Sequence, residues 1–266
     1  MSHFFAIWLL PIFFCLVGIE LKAEISSGVF KKKSDLFIPF SAALFGVIAP
    51  FLIYEIFVLL FNISNSGWGV VVATDLPLAL LAIKVFKREV SEKLRPYLLS
   101  LAIFDDLISI ILIALIYHQN GIHPTVYGFI VGLLLPLKTT GRVFKVFNKF
   151  SNFLILPLFV LATISENLSF QIGLLTLAVL VARMGGKPIG VLLGDYFGRL
   201  ITKSKVLNTK EVLAVGAVAA LGLSVSLLFA EIAGAAKIVF ASVFIVIPIA
   251  LIRIKILSKT FMKGNF

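Results

Sequence analysis

The stretch that decides the fold is Tyr97–Tyr117, YLLSLAIFDDLISIILIALIY, which carries two adjacent carboxylates, Asp105 and Asp106, inside an otherwise apolar run. An ionised Asp at the centre of a membrane helix costs roughly 2.5–3.5 kcal/mol on insertion scales. Acids that are kept at such depth usually mark an ion or proton pathway. The stretch therefore predicts a membrane protein with a functional acid pair.

The composition of the whole chain agrees with a location in lipid. Of its 266 residues, 60% are hydrophobic and 14% are charged, whereas soluble domains have about 45–50% apolar and about 25% charged residues. No segment is polar enough to form a separate domain, so we expect a single transmembrane domain over residues 1–266. Met1–Glu20 has no basic N-terminal region and no clear cleavage site, and we expect it to be a retained span.

Cysteine and histidine usage argues against bound metals. The one cysteine, Cys15, allows no intramolecular disulfide, and the three His residues form no cluster with it. Transition-metal sites need several such ligands together. We therefore expect no metal site and no cofactor.

Runs of about 20 apolar residues are long enough to cross the hydrocarbon core, and they predict an all-α polytopic membrane protein with about nine helices. The predicted spans are Phe4–Ile25, Leu36–Phe61, Trp68–Phe86, Tyr97–Tyr117, Thr125–Leu137, Phe150–Ile164, Phe170–Phe197, Glu211–Phe229 and Lys237–Leu257.

The net charge of +11 is a topology signal. Of the 24 Lys and Arg residues, 20 fall in alternate connections and in the C-terminal tail, and the opposite connections carry only Lys237. Because basic residues remain on the cytoplasmic side, we expect the N-terminus outside and the C-terminus in the cytoplasm. This distribution argues against a nucleic-acid partner.

Asp105 and Asp106 project about 100° apart on a helix, and both can face one polar crevice. So close together, they should titrate as a coupled pair. A site that is protonated when empty and ionised when it holds a cation exchanges protons for cations. Carboxylate oxygens suit hard ions, here Na⁺, Li⁺ or H⁺. The alternative is a structural pair neutralised by Arg or Lys.

Two further segments predict interrupted helices. In VVATDLPLAL, Pro77 removes a backbone donor and favours a break near residues 73–76, beside Thr74 and Asp75. The alternative is a simple proline kink with a solvated Asp. The small-residue stretch from Ala219 to Ser226 can also unwind, although such residues often only pack against neighbours.

Other charges fall in or near the predicted spans. Lys187, in RMGGKPIG, needs a carboxylate partner or must lose its proton. Arg183, one helical turn earlier, could share that partner or line a cytoplasmic entrance. Glu20, Lys22 and Glu24 lie near the cytoplasmic end of the first span, where long side chains reach the interface.

With these residues in view, the chain resembles the NhaA family of bacterial sodium/proton antiporters. The matching stretches are FFCLVGIELKAEI (13–25), ATDLPLALLAI (73–83), LAIFDDLISIILIALIY (101–117), IHPTVYGFIVGLLLPLK (122–138), LILPLF (154–159), GKPIGV (186–191) and GLSVS (222–226).

The resemblance implies roles for particular residues. Asp105 and Asp106 match the paired aspartates of the ion site, with Asp106 as the more direct ligand, and Lys187 matches the lysine that pairs with Asp105. The remaining matches lie where two broken helices cross near the midplane: Thr74, Asp75, Gly222, Ser224 and Ser226. The second to fourth and seventh to ninth spans would form inverted repeats.

The chain also departs from the family pattern. The family's first span, the following extracellular hairpin used in dimer contacts, and two spans between the Asp pair and IHPTVYG have no counterpart. The absent hairpin leaves homodimerisation open. Ala23 stands where an Arg is usual, Gly141–Phe150 has no acid or His, and Arg183 replaces an apolar residue. The resemblance therefore does not carry over the family's pH gating.

These observations lead to a first hypothesis and two alternatives. The first hypothesis is an inner-membrane antiporter, not an enzyme, that exchanges Na⁺ or Li⁺ for H⁺ as one bundle rocks against another. One alternative is a cation-coupled carrier of a small solute on the same scaffold. The other is a non-transporting reduced paralogue or a subunit that needs a partner.

Overall fold

The structure is a computed structural model that describes residues 8, 10–27, 33–75, 78–79, 82, 93–116, 124–136, 161, 173–232 and 236–263. Among them every regular element is helical. The helices are α1 (Leu10–Ser27), α2 (Lys33–Phe61), α3 (Trp68–Val72), α4 (Leu94–Ile116), α5 (Pro124–Leu134), α6 (Leu174–Val181), α7 (Lys187–Thr202), α8 (Thr209–Ala219), α9 (Ser224–Ile232) and α10 (Ala236–Lys263). A 3₁₀ turn, Asn65–Gly67, precedes α3, and a π-helical turn, Ala182–Gly186, joins α6 to α7.

The helices follow the predicted spans, and the prediction of an all-α protein is confirmed. The predicted seventh span is α6, the π turn and α7 in one continuous rod, and the predicted eighth span is interrupted between α8 and α9. The predicted sixth span, Phe150–Ile164, lies outside the described residues except for position 161. Within the described part, the helices at Leu36–Phe61 and Leu174–Thr202 are long and apolar enough to cross a membrane. The number of nine spans stays a prediction.

The chain divides into two compact units. The first comprises Met1–Lys32 and Leu107–Leu168, and the second comprises Lys33–Asp106 and Ser169–Phe266. The boundary within α4 falls just after the acid pair. The single domain over residues 1–266 remains a prediction.

In the second unit, a row of glycines on the π turn and α7 faces α2. Gly186, Gly190, Gly194 and Gly198 recur every four residues, which places them on one side of a helix. A Cβ at Gly186 would lie 2.5 Å from Pro50 Cα, and one at Gly194 would lie 2.6 Å from Ala42 Cα. Small residues at this spacing let two helix backbones approach closely. The row therefore fixes the position of the rod that carries Lys187.

The first unit uses the same kind of contact. A Cβ at Gly132 of α5 would overlap the Cys15 carbonyl, and one at Gly18 of α1 would overlap the Phe129 carbonyl. Lys22 Nζ donates a hydrogen bond of 2.8 Å to the Leu135 carbonyl, just beyond the end of α5. Because the last carbonyls of a helix lack helical partners, this lysine satisfies one of them.

Candidate ion-binding site

The first interruption follows α3. The helix ends at Val72, and Ala73 has extended backbone with φ −68° and ψ 141°. Helical hydrogen bonding resumes when Ala79 N donates to the Asp75 carbonyl at 2.9 Å. The break therefore lies where Pro77 predicts it, and it leaves Thr74 and Asp75 buried outside helical structure.

The second interruption, residues 220–223 between α8 and α9, meets the first. Thr74 Oγ1 donates a hydrogen bond of 2.8 Å to the Ala219 carbonyl, and Asp75 N donates one of 3.0 Å to the Leu221 carbonyl. Backbone groups released by a break must find partners when water is excluded. Here each interrupted segment supplies partners to the other.

Lys187 lies beside this crossing. Its Nζ is 2.9 Å from both carboxylate oxygens of Asp105 and 2.9 Å from Thr74 Oγ1. The ammonium thus uses its three donors on an acid of α4 and a hydroxyl of the first break. Asp105 has no exposed surface and Lys187 is 1% exposed, so the charge pair is fully buried.

Asp106 follows Asp105 on α4 and is 4% exposed. It lies near enough to act electrostatically on Lys187, as Asp105 does. Among the residues that the structure describes, no three His, Cys, Asp or Glu side chains converge as metal ligands would. The hard oxygen donors at the crossing are those of Asp75, Asp105 and Asp106, together with the Thr74 hydroxyl.

Arg183 also contacts the crossing, and its role at a cytoplasmic entrance stays a prediction. The side chain has no exposed surface. Its Nη2 donates a hydrogen bond of 2.8 Å to the Ala73 carbonyl, and its Nη1 donates one of 2.8 Å to Ser226 Oγ. Both carboxylate oxygens of Asp105 accept hydrogen bonds from Lys187 instead.

The π turn that carries Arg183 has a local cause. Pro188 has no backbone N–H, so the Met184 carbonyl four residues earlier lacks its helical donor. Arg253 of α10 donates to that carbonyl instead. The lengthened turn is thereby held from outside, and Lys187 begins α7 directly after it.

Other predicted site residues lie elsewhere or are only partly described. Gly222 belongs to the second break, and Ser224 begins α9, although its side chain lies outside the described part. Lys22 contacts the end of α5 in the first unit. The side chains of Glu20 and Glu24 likewise lie outside the described part, so their placement at an entrance stays a prediction.

Sequence reasoning missed a buried acid in the rod that carries Lys187. Asp195 of α7 is 3% exposed, and its Oδ1 accepts a hydrogen bond of 3.0 Å from Tyr97 Oη of α4. Arg199 forms an ion pair of 2.5 Å with its Oδ2. The signal was available, because Asp195 lies within the predicted span Phe170–Phe197 and is an acid at membrane depth like the others.

Comparison with known proteins shows which family the chain matches. The sequence profile described as Na+/H+ antiporter 1 matches residues 1–120 and 117–258, nearly the whole chain. The two matches meet at 117–120, within the connection where the sequence places a missing pair of spans.

Individual relatives are similar over most of the chain. Na(+)/H(+) antiporter NhaA of Proteus mirabilis is 29% identical over 287 residues, covering 85% of this chain and 72% of the relative. NhaA of Yersinia enterocolitica is 29% identical with coverage of 85% and 72%, and NhaA of Acidovorax sp. is 29% identical with coverage of 85% and 69%. The match of the family profile to nearly the whole chain shows that this polytopic helical membrane protein belongs to the Na+/H+ antiporter 1 family.

Proposed function

We propose that the protein exchanges Na⁺ or Li⁺ for H⁺ across the bacterial inner membrane, with Asp105 and Asp106 as the site that holds either the cation or the protons. No covalent bond is made or broken in such a cycle, so the protein is not an enzyme. The relatives that carry the name Na(+)/H(+) antiporter support the ion and proton as substrates.

The observation that carries the proposal is the buried pair Asp105–Lys187 beside Asp106. A buried ion pair is seldom worth its desolvation as a source of stability. Three charges from two elements at an interrupted crossing are better explained by a process that uses them. Interrupted helices with such charges are how secondary transporters build ion sites.

The same geometry gives an exchange step. When Na⁺ binds the carboxylates, with Asp106 as the more direct ligand, both must be ionised, and their two protons leave to the side that faces the site. When protons return, the carboxylates become neutral and the cation loses its ligands. Because Lys187 contacts both Asp105 and Thr74, a shift of its ammonium from Asp105 toward Thr74 would accompany the exchange.

We further propose that access to the site alternates between the two sides of the membrane. The N-terminus would lie outside and the C-terminus in the cytoplasm, as the distribution of Lys and Arg predicts. Exchange of two protons for each Na⁺, which the family resemblance implies, would make transport electrogenic. Homodimerisation stays open.

The direct test is proton flux in everted membrane vesicles energised to an acidic interior. Addition of NaCl or LiCl is expected to alkalinise the lumen of vesicles that contain the wild-type protein, while KCl is not. Asp106→Asn is expected to abolish the response, because an amide neither releases a proton nor carries the charge that attracts a cation.

Asp195→Asn is the matched control for the loss of a buried carboxyl. Asp195 has its own partners, Tyr97 and Arg199, away from the crossing, and its variant is expected to keep the flux per folded molecule. A folded wild-type protein without Na⁺- or Li⁺-dependent flux from about pH 6.5 to 9 would contradict the proposal. Na⁺-dependent binding of a small organic solute would instead favour a carrier on this scaffold, and recovery of flux with a second protein would favour a subunit.

A further inference from the structure

The crossing contains two buried cations one turn apart, Arg183 and Lys187, and they have different partners. Lys187 contacts Asp105 and Thr74, whereas Arg183 contacts the Ala73 carbonyl and Ser226 Oγ. Arginine stays protonated under all ordinary conditions, while a buried lysine can release its proton. The pair therefore combines one permanent charge with one that is able to change.

The two acceptors of Arg183 lie on the two different interrupted segments. Ala73 is the first residue after α3, where the terminal carbonyls have no helical donor. Ser226 lies on α9, just beyond the second break. A guanidinium is planar and presents two separate amino groups in a fixed fork, so one side chain reaches both segments at once.

The room for this fork comes from Gly222. A Cβ at Gly222 would overlap Nη2 of Arg183 and would lie 2.9 Å from the Ala73 carbonyl. Any larger residue at this position would displace the guanidinium or the first break. The absence of a side chain at Gly222 therefore leaves the space that the guanidinium of Arg183 occupies.

The surroundings of Arg183 are charged. The carboxylates whose fields act on its guanidinium are those of Asp105 and Asp75. Lys187 and Asp106 complete the set at the crossing, and Arg253 of α10 binds the backbone of the same π turn. A permanent positive charge here attracts the negative charge of the acids and opposes the approach of a second cation.

We infer that Arg183 is a positioning residue of the ion site. Its guanidinium fastens the two interrupted segments to each other and supplies a fixed positive charge beside the acid pair. Lys187 is then the cation that responds when the charge of Asp105 changes. The inference rests on the proposed exchange of Na⁺ or Li⁺ for H⁺ as far as the ion site is concerned. The fastening of the two segments does not depend on it.

Three substitutions separate the hydrogen-bonding fork of Arg183 from its charge. Arg183→Lys keeps a positive charge but offers a single nitrogen, which cannot reach both acceptors. Arg183→Met removes the charge as well. Gly222→Ala keeps the arginine and its charge but displaces the fork, and Arg95→Met removes an exposed cation from the start of α4 and serves as the control.

The first readout is the reactivity of a thiol introduced by Ala220→Cys in a Cys15→Ser background, with N-ethylmaleimide as the reagent. Ala220 is buried in the second break, and its thiol is expected to react slowly. Arg183→Lys, Arg183→Met and Gly222→Ala should each speed the reaction about tenfold or more. Loss of the hydrogen bonds from the guanidinium should raise the population of the open, reactive state of the second break by about that factor. Ser226→Ala, which removes one of two acceptors, should speed it less.

The second readout is Na⁺-dependent proton flux in everted vesicles, measured against pH and Na⁺ concentration. Removal of the fixed positive charge changes the electrostatic potential at the acid pair, so Arg183→Met should move the pH of half-maximal activity by about one unit. Arg183→Lys should leave that pH near the wild-type value and lower the maximal rate. A residue that only stabilises the fold would change the amount of active protein without moving the pH profile.

The two readouts distinguish a failure of this inference from a failure of the proposed function. If the wild-type protein shows no flux, the proposed exchange is wrong, and thiol reactivity still decides whether Arg183 fastens the crossing. If Arg183→Met and Arg183→Lys keep both wild-type thiol reactivity and a wild-type pH profile, the inference is overturned. Should Arg183→Met not fold, Arg183→Lys, Gly222→Ala and Ser226→Ala still test the fork by thiol reactivity, and Arg183→Gln, which removes the charge but keeps a polar side chain, replaces it in the measurement of the pH profile.

Discussion

Tyr97 Oη donates a hydrogen bond of 3.0 Å to Asp195 Oδ1, and this contact is in register with the Asp105–Lys187 pair. Tyr97 and Asp105 are eight residues apart in α4, as are Lys187 and Asp195 in α7. The two helices are therefore antiparallel and are joined by polar pairs at two levels, about 12 Å apart along their axes. The Tyr97–Asp195 contact thus links α4 to α7 at a level separate from the Asp105–Lys187 pair.

Removal of the Tyr97 hydroxyl is expected to destabilise the protein. Tyr97→Phe should lower the free energy of unfolding by about 1.5–3 kcal/mol, the usual contribution of a buried hydrogen bond to a charged group. The measurement is denaturant unfolding in detergent. Tyr196→Phe is the control, since Tyr196 is 63% exposed and exposed substitutions change stability by about 0.5 kcal/mol or less. Equal losses in the two variants would contradict the proposed alignment.

The Asp105–Lys187 pair should show strong coupling in stability. Asp105→Asn or Lys187→Met alone leaves an unpaired buried charge, and each should cost about 3–5 kcal/mol. The double variant should recover most of that loss, because replacing both members of a buried pair is often close to neutral. The check is a double-mutant cycle of unfolding free energies, and additive losses would exclude a direct pair.

Two neighbouring glycines offer a matched test of the close contact between α2 and the rod of α7. Gly186→Ala places a Cβ against Pro50 and should cost about 1–3 kcal/mol. Gly185→Ala meets no heavy atom within 4 Å, and it should be neutral or stabilise by up to about 1 kcal/mol, since alanine favours helix. Thermal unfolding of the two variants side by side decides the point, and the reverse order would place the other face of the rod against α2.

The start of α8 supplies a prediction about stability without transport. Asn208 Oδ1 accepts from Glu211 N at 2.8 Å, and Glu211 Oε2 accepts from Asn208 N at 2.9 Å, which forms a capping box. Asn208→Ala should reduce the unfolding free energy by about 1 kcal/mol. Flux per folded molecule should stay at the wild-type level. A changed pH profile in this variant would connect the cap to the ion site.

Much of the fold was accessible from the sequence because it depends on local chemistry. Long apolar runs have few alternatives to helix in lipid, since every backbone group must be satisfied within the segment. Pro77 favours a break and the small residues from Ala219 to Ser226 permit another, although α2 continues through Pro39 and Pro50, so proline alone does not decide where a helix ends. The interruptions at 73–75 and 220–223 lie where these two patterns allow them.

The roles of individual charges were less accessible. The sequence showed that Lys187 needed an acid, and the family resemblance named Asp105. For Arg183 it left two assignments open and did not indicate the Ala73 carbonyl or Ser226 as hydrogen-bond partners. Asp195 was overlooked, although the same criterion of an acid at membrane depth applies to it. Gly185 and Gly186 are adjacent in the sequence, yet a Cβ at Gly186 would overlap Pro50 of α2 and one at Gly185 would meet no atom within 4 Å.

The sequence by itself determined that this chain is helical, where its helices break and which buried charges require partners, because hydropathy, proline and desolvation act within a few residues. Only the tertiary structure decided which partners those charges take. Arg183 reaches Ala73 and Ser226 across separations of 110 and 43 residues, and no local pattern specifies such a pairing. It depends on the rotation of each helix about its axis, which the glycine contacts and the neighbouring side chains fix together.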